Sequence, residues 1–437
     1  MAVRLFHDNI SLISLKWIYL YPYHGRNYDF LINNLQYLYY LKGEHHMNLL
    51  LADLHKFVNY SGGIEHVLSR MAFAMEEKGY HVSVVMADEK EGASFYPFPE
   101  SCHFYNLFHM PGMKPVHMGA LDKGLREVTR LFSRERARNW NYKMLSAAAP
   151  QMEKVLALEK PDVIISFREP TGRLLLNEVQ TATPVISMMH SDPDEIFSHS
   201  PKGEKAALAK SARIQVLMPA FIQKAKSYLP YDHFVYIPNA VNIPDISVNP
   251  GTIRKTHTIT QVGRLTGRTK RQHLLVEAFS LLAKDFPDWN VELWGDTYDT
   301  AYVAVVKTLI RKKGLTDRVF LKGTTKDMRE IWNHTDIFAF PSFHEGFGMA
   351  LAEAMGVGIP AVGYRSCPAV NELIHDGEDG YLTEDGAAPL AEALRKLMED
   401  ADKRTAFGKR AKENMKPFAP EVVWDEWDRL IREVLGE

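Results

Sequence analysis

Two cysteines in 437 residues, Cys102 and Cys367, are too few for a disulfide framework or a thiolate metal cluster. They suit a reducing compartment. Long hydrophobic runs are missing as well. No stretch approaches the ~20 apolar residues of a membrane span, and the best candidate, 10–20, is short and broken by Lys16. It also lacks the small-residue cleavage site of a signal peptide. Neither charge dominates: 52 Lys and Arg face 54 Asp and Glu, a formal net charge of −2. That excludes a globally basic nucleic-acid binder, though not a local basic face. There is no internal repeat and no low-complexity tract. These absences lead us to expect a cytoplasmic protein that touches membrane only peripherally, on the inner face of the plasma membrane.

What is present reads as two α/β domains. The hydrophobic share of 46% and charged share of 24% are ordinary for a globular protein, and the length exceeds a single usual core. From Met47 onward, short apolar runs alternate with helical patterns. Strands are expected at Met47–Leu54, Tyr80–Ala87, Asp162–Phe167, Pro184–Met189 and Arg213–Met218. After a Pro/Asn/Gly-rich linker at Val241–Gly251 the pattern restarts, with strands at His257–Gly263, Val291–Gly295, Arg318–Leu321, Asp336–Pro341 and Ile359–Gly363. Helices are expected at Ile64–Lys78, Gln272–Lys284, Thr300–Lys313 and Pro389–Glu399. This alternation predicts two doubly wound parallel sheets, with a cleft between the C-terminal ends of their strands.

The stretch from Phe340 to Met355 carries the most chemistry. A buried strand runs into a turn with two glycines, Gly346 and Gly348, which opens an amphipathic helix at Met349. The free N–H groups of such a helix start make an anion site. Glu345 stands at its mouth, and Glu353 is expected about two turns into the helix. Two carboxylates beside an anion site suit a ligand that joins a diphosphate to hydroxyl-rich groups. A nucleotide sugar is one, with Glu345 toward the sugar and Glu353 toward the ribose.

At these residues the chain resembles the retaining glycosyltransferases of the GT-B fold, the large family 4 that contains sucrose synthase and envelope mannosyltransferases. The landmarks run in order: Gly62-Gly63-Ile64-Glu65, His190 after a mid-chain strand, Val262-Gly263-Arg264-Leu265, Lys270, then Glu345 and Glu353. The resemblance spans 47–437. It implies an acceptor domain at 47–243, a donor domain at 244–419 and a C-terminal helix, 420–437, that crosses back to the first domain. The first 46 residues, 1–46, fall outside it; they are expected to be an extension or an early start, with an added membrane-surface element as the alternative.

The resemblance also implies roles. Arg264 and Lys270 would hold the donor diphosphate, His190 would reach the donor sugar, and Glu345 would act beside them as the fourth catalytic residue. Gly62, Gly63, Gly346, Phe347, Gly348 and Glu353 would complete donor binding. Charge grows on the leaving phosphate as the glycosidic bond breaks, and a preorganised cation pair stabilises it without a metal. We therefore expect no metal and no cofactor, and read Asp192-Pro193-Asp194 as acceptor-side or structural. Pro238-Asn239-Ala240-Val241 is expected to shape the hinge. The expected partners are a nucleotide-sugar donor, UDP-linked, and a glycan or lipid-linked acceptor. A basic amphipathic segment, 123–143, with Leu125, Val128, Leu131 and Phe132 near one another and Trp140 and Tyr142 beyond, suits an anionic lipid surface or lipid diphosphate. Two other readings share the fold: a UDP-sugar 2-epimerase and a non-catalytic partner subunit.

Overall fold

The computed structural model describes residues 47–437 apart from positions 61, 118, 133 and 247. The extension expected at 1–46 lies outside the described residues. Among the latter, two parallel sheets follow one another. The first joins β1 (Asn48–Asp53), β2 (His81–Met86), β3 (His103–Asn106), β4 (Val163–Ser166), β5 (Val185–Met189), β6 (Arg213–Val216) and β7 (Phe234–Tyr236), in the order β3-β2-β1-β4-β5-β6-β7. The second joins β8 (His257–Val262), β9 (Trp289–Trp294), β10 (Val319–Gly323), β11 (Ile337–Phe340), β12 (Ala361–Tyr364) and β13 (Gly380–Thr383), in the order β10-β9-β8-β11-β12-β13. Each sheet reverses direction beside its first strand, at β1/β4 and at β8/β11, and such switch points are where open α/β sheets bind ligands.

The strands read as continuous apolar runs because helices cover both faces of each sheet. β1 makes the point: Leu49 and Leu51 join one hydrophobic cluster, while Leu50 and Ala52 join the cluster on the opposite face. The first of these faces is closed by the last helix, Pro420–Leu435. Its Trp424, Trp427, Leu430 and Ile431 pack against Leu49, Val67 and Leu68. Tyr80 donates to Asp428 at 2.6 Å and Arg213 pairs with Glu433 at 2.6 Å, so the helix that follows the second domain straps onto the first. Deleting a buried Trp of this kind costs about 3–5 kcal/mol. The connection before β8 is irregular, as its composition suggests, and the Val241 amide bonds to the Phe418 carbonyl at 2.8 Å.

Three strands were not expected. β3 and β7 are edge strands of four and three residues, part-exposed, and too short to show a period. β13 alternates buried and half-buried residues over only four positions. The helix Gln272–Ser280 stops four residues earlier than expected, passing into turns.

Candidate active site

The cleft is built where the two switch points face each other. On the second domain, β8 ends in Val262 and the chain turns through Gly263, whose φ of +154° and lack of a Cβ leave room for the Lys270 stem. Lys270 Nζ lies 2.5 Å from Glu345 Oε1 and 4.9 Å from the Phe340 ring centroid. The neighbouring cation, Arg271, which composition alone does not separate from Lys270, faces another way. It donates to the Pro341 and Ser342 carbonyls at 3.0 and 3.1 Å and pairs with Asp385 at 3.0 Å, pinning the loop that carries Glu345. Arg264 is exposed and joins no ion pair among the described residues.

The glycine turn after β11 behaves as the sequence suggested, with two differences. Gly348 sits at φ +92°, a conformation that favours glycine, and caps the helix Met349–Gly356. That helix is buried at Leu351, Ala352, Ala354, Met355 and Gly356 rather than amphipathic, because it is wedged between the sheet and the helix Ala401–Asn414. Glu353 is its fifth residue, a little over one turn in, not two. Burial lifts the Glu353 carboxyl to about 7, against a weaker opposing pull from Arg70 of the first domain. Phe347 is buried and packs on Phe418, so it supports the turn from below.

The first domain supplies the facing wall. His190 follows β5 directly, stacks on Phe167 with centroids 5.7 Å apart, and leaves Nε2 buried without a hydrogen-bond partner among the described residues. Burial, helped by the Arg168 charge, pushes its pKa down to about 3, so the ring is neutral at ordinary pH. The domains touch here. A Cβ on Gly346 would fall 2.0 Å from the His190 carbonyl oxygen, and His344 reaches across to Glu195 at 2.8 Å. Gly62 and Gly63 prove to differ. A Cβ on Gly62 would collide with Glu65 Oε2 at 1.8 Å, whereas one on Gly63 would meet nothing within 4 Å. Gly62 therefore makes room for Glu65, and Gly63 leaves the start of the helix Gly63–Glu77 open.

Asp192 and Asp194 do not form a free acidic pair. Asp192 caps the helix Pro193–His199 and binds Lys224 at 2.5 Å; Asp194 binds the same lysine at 3.2 Å and accepts from Tyr228 at 3.0 Å.

Residues 243–414 match the family described as glycosyl transferases group 1. This segment is similar to the group 1 glycosyltransferases. The alignment with solved structures takes in both domains. The chain covers 99% of sucrose-phosphate synthase from Thermosynechococcus elongatus over 89% of its own length, with TM-score 0.71 and 16% identity. It covers 99% of a Staphylococcus aureus TarM mutant, solved with fondaparinux, alpha-GlcNAc-glycerol and UDP, over 88% of its own length, with TM-score 0.68 and 15% identity. The fold is GT-B. Among curated relatives, an exopolysaccharide phosphotransferase of Streptomyces coelicolor is 32% identical over 46% of this chain and 21% of that protein. A poly(glycerol-phosphate) alpha-glucosyltransferase of Bacillus subtilis is 24% identical over 46% of this chain and 30% of that protein. The chain thus spans about a fifth and a third of those two relatives.

The wall of the first domain contains residues that sequence reasoning did not single out. Arg168, two residues past β4, reaches back to β1: its Nε lies 2.6 Å from Asp53 and its Nη2 2.7 Å from Glu65. Burial, only partly offset by Arg168, raises the Asp53 carboxyl. Burial would raise Glu65 too, but His55 and Arg168 outweigh it and hold that carboxyl low. The pairing is made across more than a hundred residues of sequence, and no local spacing signals it.

Proposed function

We propose that this chain is a retaining glycosyltransferase that moves a hexose or N-acetylhexosamine from a nucleotide diphosphate sugar, UDP-linked, to a glycan or lipid-linked saccharide. One observation carries the reading. The Lys270–Glu345 pair, Arg264, the glycine-capped helix end and Glu353 converge at the β8/β11 switch point, opposite a histidine whose buried nitrogen has no partner among the described residues. Positive charge sits where a diphosphate would lie, and hydrogen-bonding groups sit where sugar and ribose hydroxyls would lie.

In this reading the bond between the anomeric carbon and the phosphate oxygen breaks with its electron pair passing to the phosphate, stabilised by Arg264 and Lys270. The acceptor oxygen forms its bond to the anomeric carbon on the same face, and its proton passes to the departing phosphate. His190, neutral by its burial, is a hydrogen-bonding partner for the sugar rather than a proton carrier. The donor site needs no metal, because cations and a helix terminus already face the phosphates, while Asp192 and Asp194 are both engaged by Lys224. Peripheral membrane contact belongs to the proposal too. Along the helix Ala120–Phe132, Leu121, Leu125, Val128 and Phe132 form one exposed apolar stripe, with Leu131 beside it. Tyr142 is excluded from that face, since it is buried and bonds to Glu178 at 3.0 Å.

The test is slow donor hydrolysis, followed across a panel of UDP-, GDP- and ADP-sugars. Release of UDP and free sugar with its anomeric configuration retained is expected. No release from any donor, or release of an epimerised sugar, overturns the reading.

A further inference from the structure

The opposite rim of the first sheet, away from the cleft, holds a cluster that the proposed reaction does not use. His81 opens β2, His103 opens β3, and Glu159 is the last residue of the helix Ala149–Glu159. All three converge below the N-terminal ends of the strands. His103 Nδ1 lies 3.1 and 3.3 Å from the two Glu159 oxygens, and His81 Nε2 lies 4.0 Å from the nearer one. The imidazoles meet edge-on with centroids 5.1 Å apart, and one ligand atom from each of the three residues lies within 4.8 Å of the others.

The carboxylate is prepared by its surroundings. Glu159 is buried while both histidines stay accessible, and each of its oxygens accepts from a hydroxyl, Oε2 from Ser83 and Oε1 from Tyr105. Hydroxyls that orient a carboxylate from behind are what a metal ligand receives from its outer shell. An ion pair between His103 and Glu159 alone would satisfy those two groups. It does not account for His81, whose Nε2 has no hydrogen bond among the described residues yet points at the same carboxylate.

We propose that His81, His103 and Glu159 form a divalent metal site of the zinc class. A tetrahedral ion with bonds of ~2.0 Å keeps its ligand atoms about 3.3 Å apart. The His103–Glu159 spacing already matches this, His81 stands 4.0 Å from the carboxylate, and the imidazole nitrogens, within 4.8 Å of each other, have to draw together as the ion binds. Two imidazoles with one carboxylate select Zn²⁺ or a similar transition ion over Mg²⁺ and Ca²⁺, which take oxygen ligands. The fourth position opens to solvent between the exposed imidazoles and takes a water. The ion acts as a clamp. β3 is a four-residue edge strand that among the described residues pairs only with β2, and the site ties both strands to the end of the helix beneath them. It stands at the end of the sheet remote from the donor site, so it stabilises the fold without entering the chemistry.

The experiment uses the full chain, stripped with chelator and dialysed, and titrated with Zn²⁺ by calorimetry. One ion should bind per chain with micromolar affinity or better, and the melting temperature should rise by a few degrees. Co²⁺ should give tetrahedral visible bands without the thiolate charge-transfer absorption that Cys102 would add. His103→Ala should weaken Zn²⁺ binding at least tenfold and abolish the thermal shift; Tyr105→Phe should weaken it about tenfold. Donor hydrolysis by the zinc-free and zinc-loaded chains at a temperature where both are folded should be equal. His81→Gln, which keeps bulk at the rim, guards against a variant that merely fails to fold. Absence of stoichiometric binding overturns the proposal, as does binding undiminished in both His103→Ala and His81→Gln, or a melting temperature that responds to pH but not to Zn²⁺.

Discussion

Glu353 offers the sharpest quantitative test, because burial lifts its carboxyl from an ordinary 4.5 to about 7. It is therefore mostly protonated at pH 6 and mostly ionised at pH 8. If vicinal ribose hydroxyls donate to it, the donor binds the ionised form, and below the shifted pKa each pH unit weakens binding up to tenfold. Affinity for a UDP-sugar should fall about tenfold between pH 8 and pH 6. A UDP-sugar is the right probe, since its diphosphate has no proton to exchange in that range. Glu353→Gln should bind more weakly than wild type at pH 8 and show no such slope. His344 cannot imitate the effect: its bond to Glu195 raises its pKa, so acid makes the cleft more positive and would strengthen anion binding. The same shift acts on stability. The folded chain keeps this proton to about pH 7 while the unfolded chain loses it near 4.5, so the stabilising contribution is complete below 4.5 and is lost as pH rises through 7. At pH 8 the cost is about 3 kcal/mol, and Glu353→Gln should melt at a higher temperature there than wild type. Calorimetry showing wild-type affinity flat or stronger at pH 6, or the same slope in Glu353→Gln, would refute the ribose assignment.

The other expectations concern the charges around the diphosphate and the surface. Lys270→Ala should lower turnover by two or more decades, given ~3–4 kcal/mol for one preorganised donor; full activity with an intact circular dichroism spectrum would sink the assignment. Glu345→Gln should mainly lower kcat and Glu353→Gln mainly raise donor KM, and UDP alone should bind the Glu345 variant nearly as well as wild type. Activity should survive EDTA; loss on chelation with rescue by Mn²⁺ would bring Asp192 and Asp194 back as ligands. Leu121→Ser with Phe132→Ser should lower sedimentation with anionic lipid vesicles, while neutral vesicles bind neither form; equal sedimentation of variant and wild type would remove the membrane contact.

The parts of this molecule that were legible in the sequence are those encoded locally. A strand buried on both faces, such as Leu49–Ala52 or Ile337–Phe340, has to be an unbroken apolar run, and it reads as one. The glycine turn at 346–348 declares itself because its backbone needs a positive φ at Gly348 and close approach at Gly346. Edge strands β3 and β7 lack that signature because one side of each is solvated. The Arg168 bridge to Asp53 and Glu65 was invisible for a different reason, since it depends on β4 lying next to β1, a fact of topology. Arg271 and Lys270 show the limit within one motif. Adjacent in sequence and alike in charge, they are separated by the αL backbone at Arg271, φ +49°, which turns its guanidinium onto the loop carbonyls while Lys270 faces the cleft.

On the proposed function, that division of labour would set how charge is shared when a donor arrives. Without ligand, Lys270 is already neutralised by Glu345, so the net positive charge offered to a diphosphate comes from Arg264 and the helix end. Two phosphates carry more negative charge than those two groups balance, so in the proposed complex Lys270 would turn from Glu345 toward them. Releasing Glu345 would leave a largely buried carboxylate unpaired, which is costly unless something donates to it. Sugar hydroxyls do that. On the proposed reading, the diphosphate and the sugar would thus cooperate through one ion pair: the phosphate would draw Lys270 away, and the sugar would take up the acceptor that Lys270 leaves. A nucleotide without its sugar would meet only half of this exchange, so Glu345 would do little for UDP and most for UDP-sugar. After the proposed transfer, Glu345 would regain Lys270 as the sugar departs, which resets the pair for the next donor.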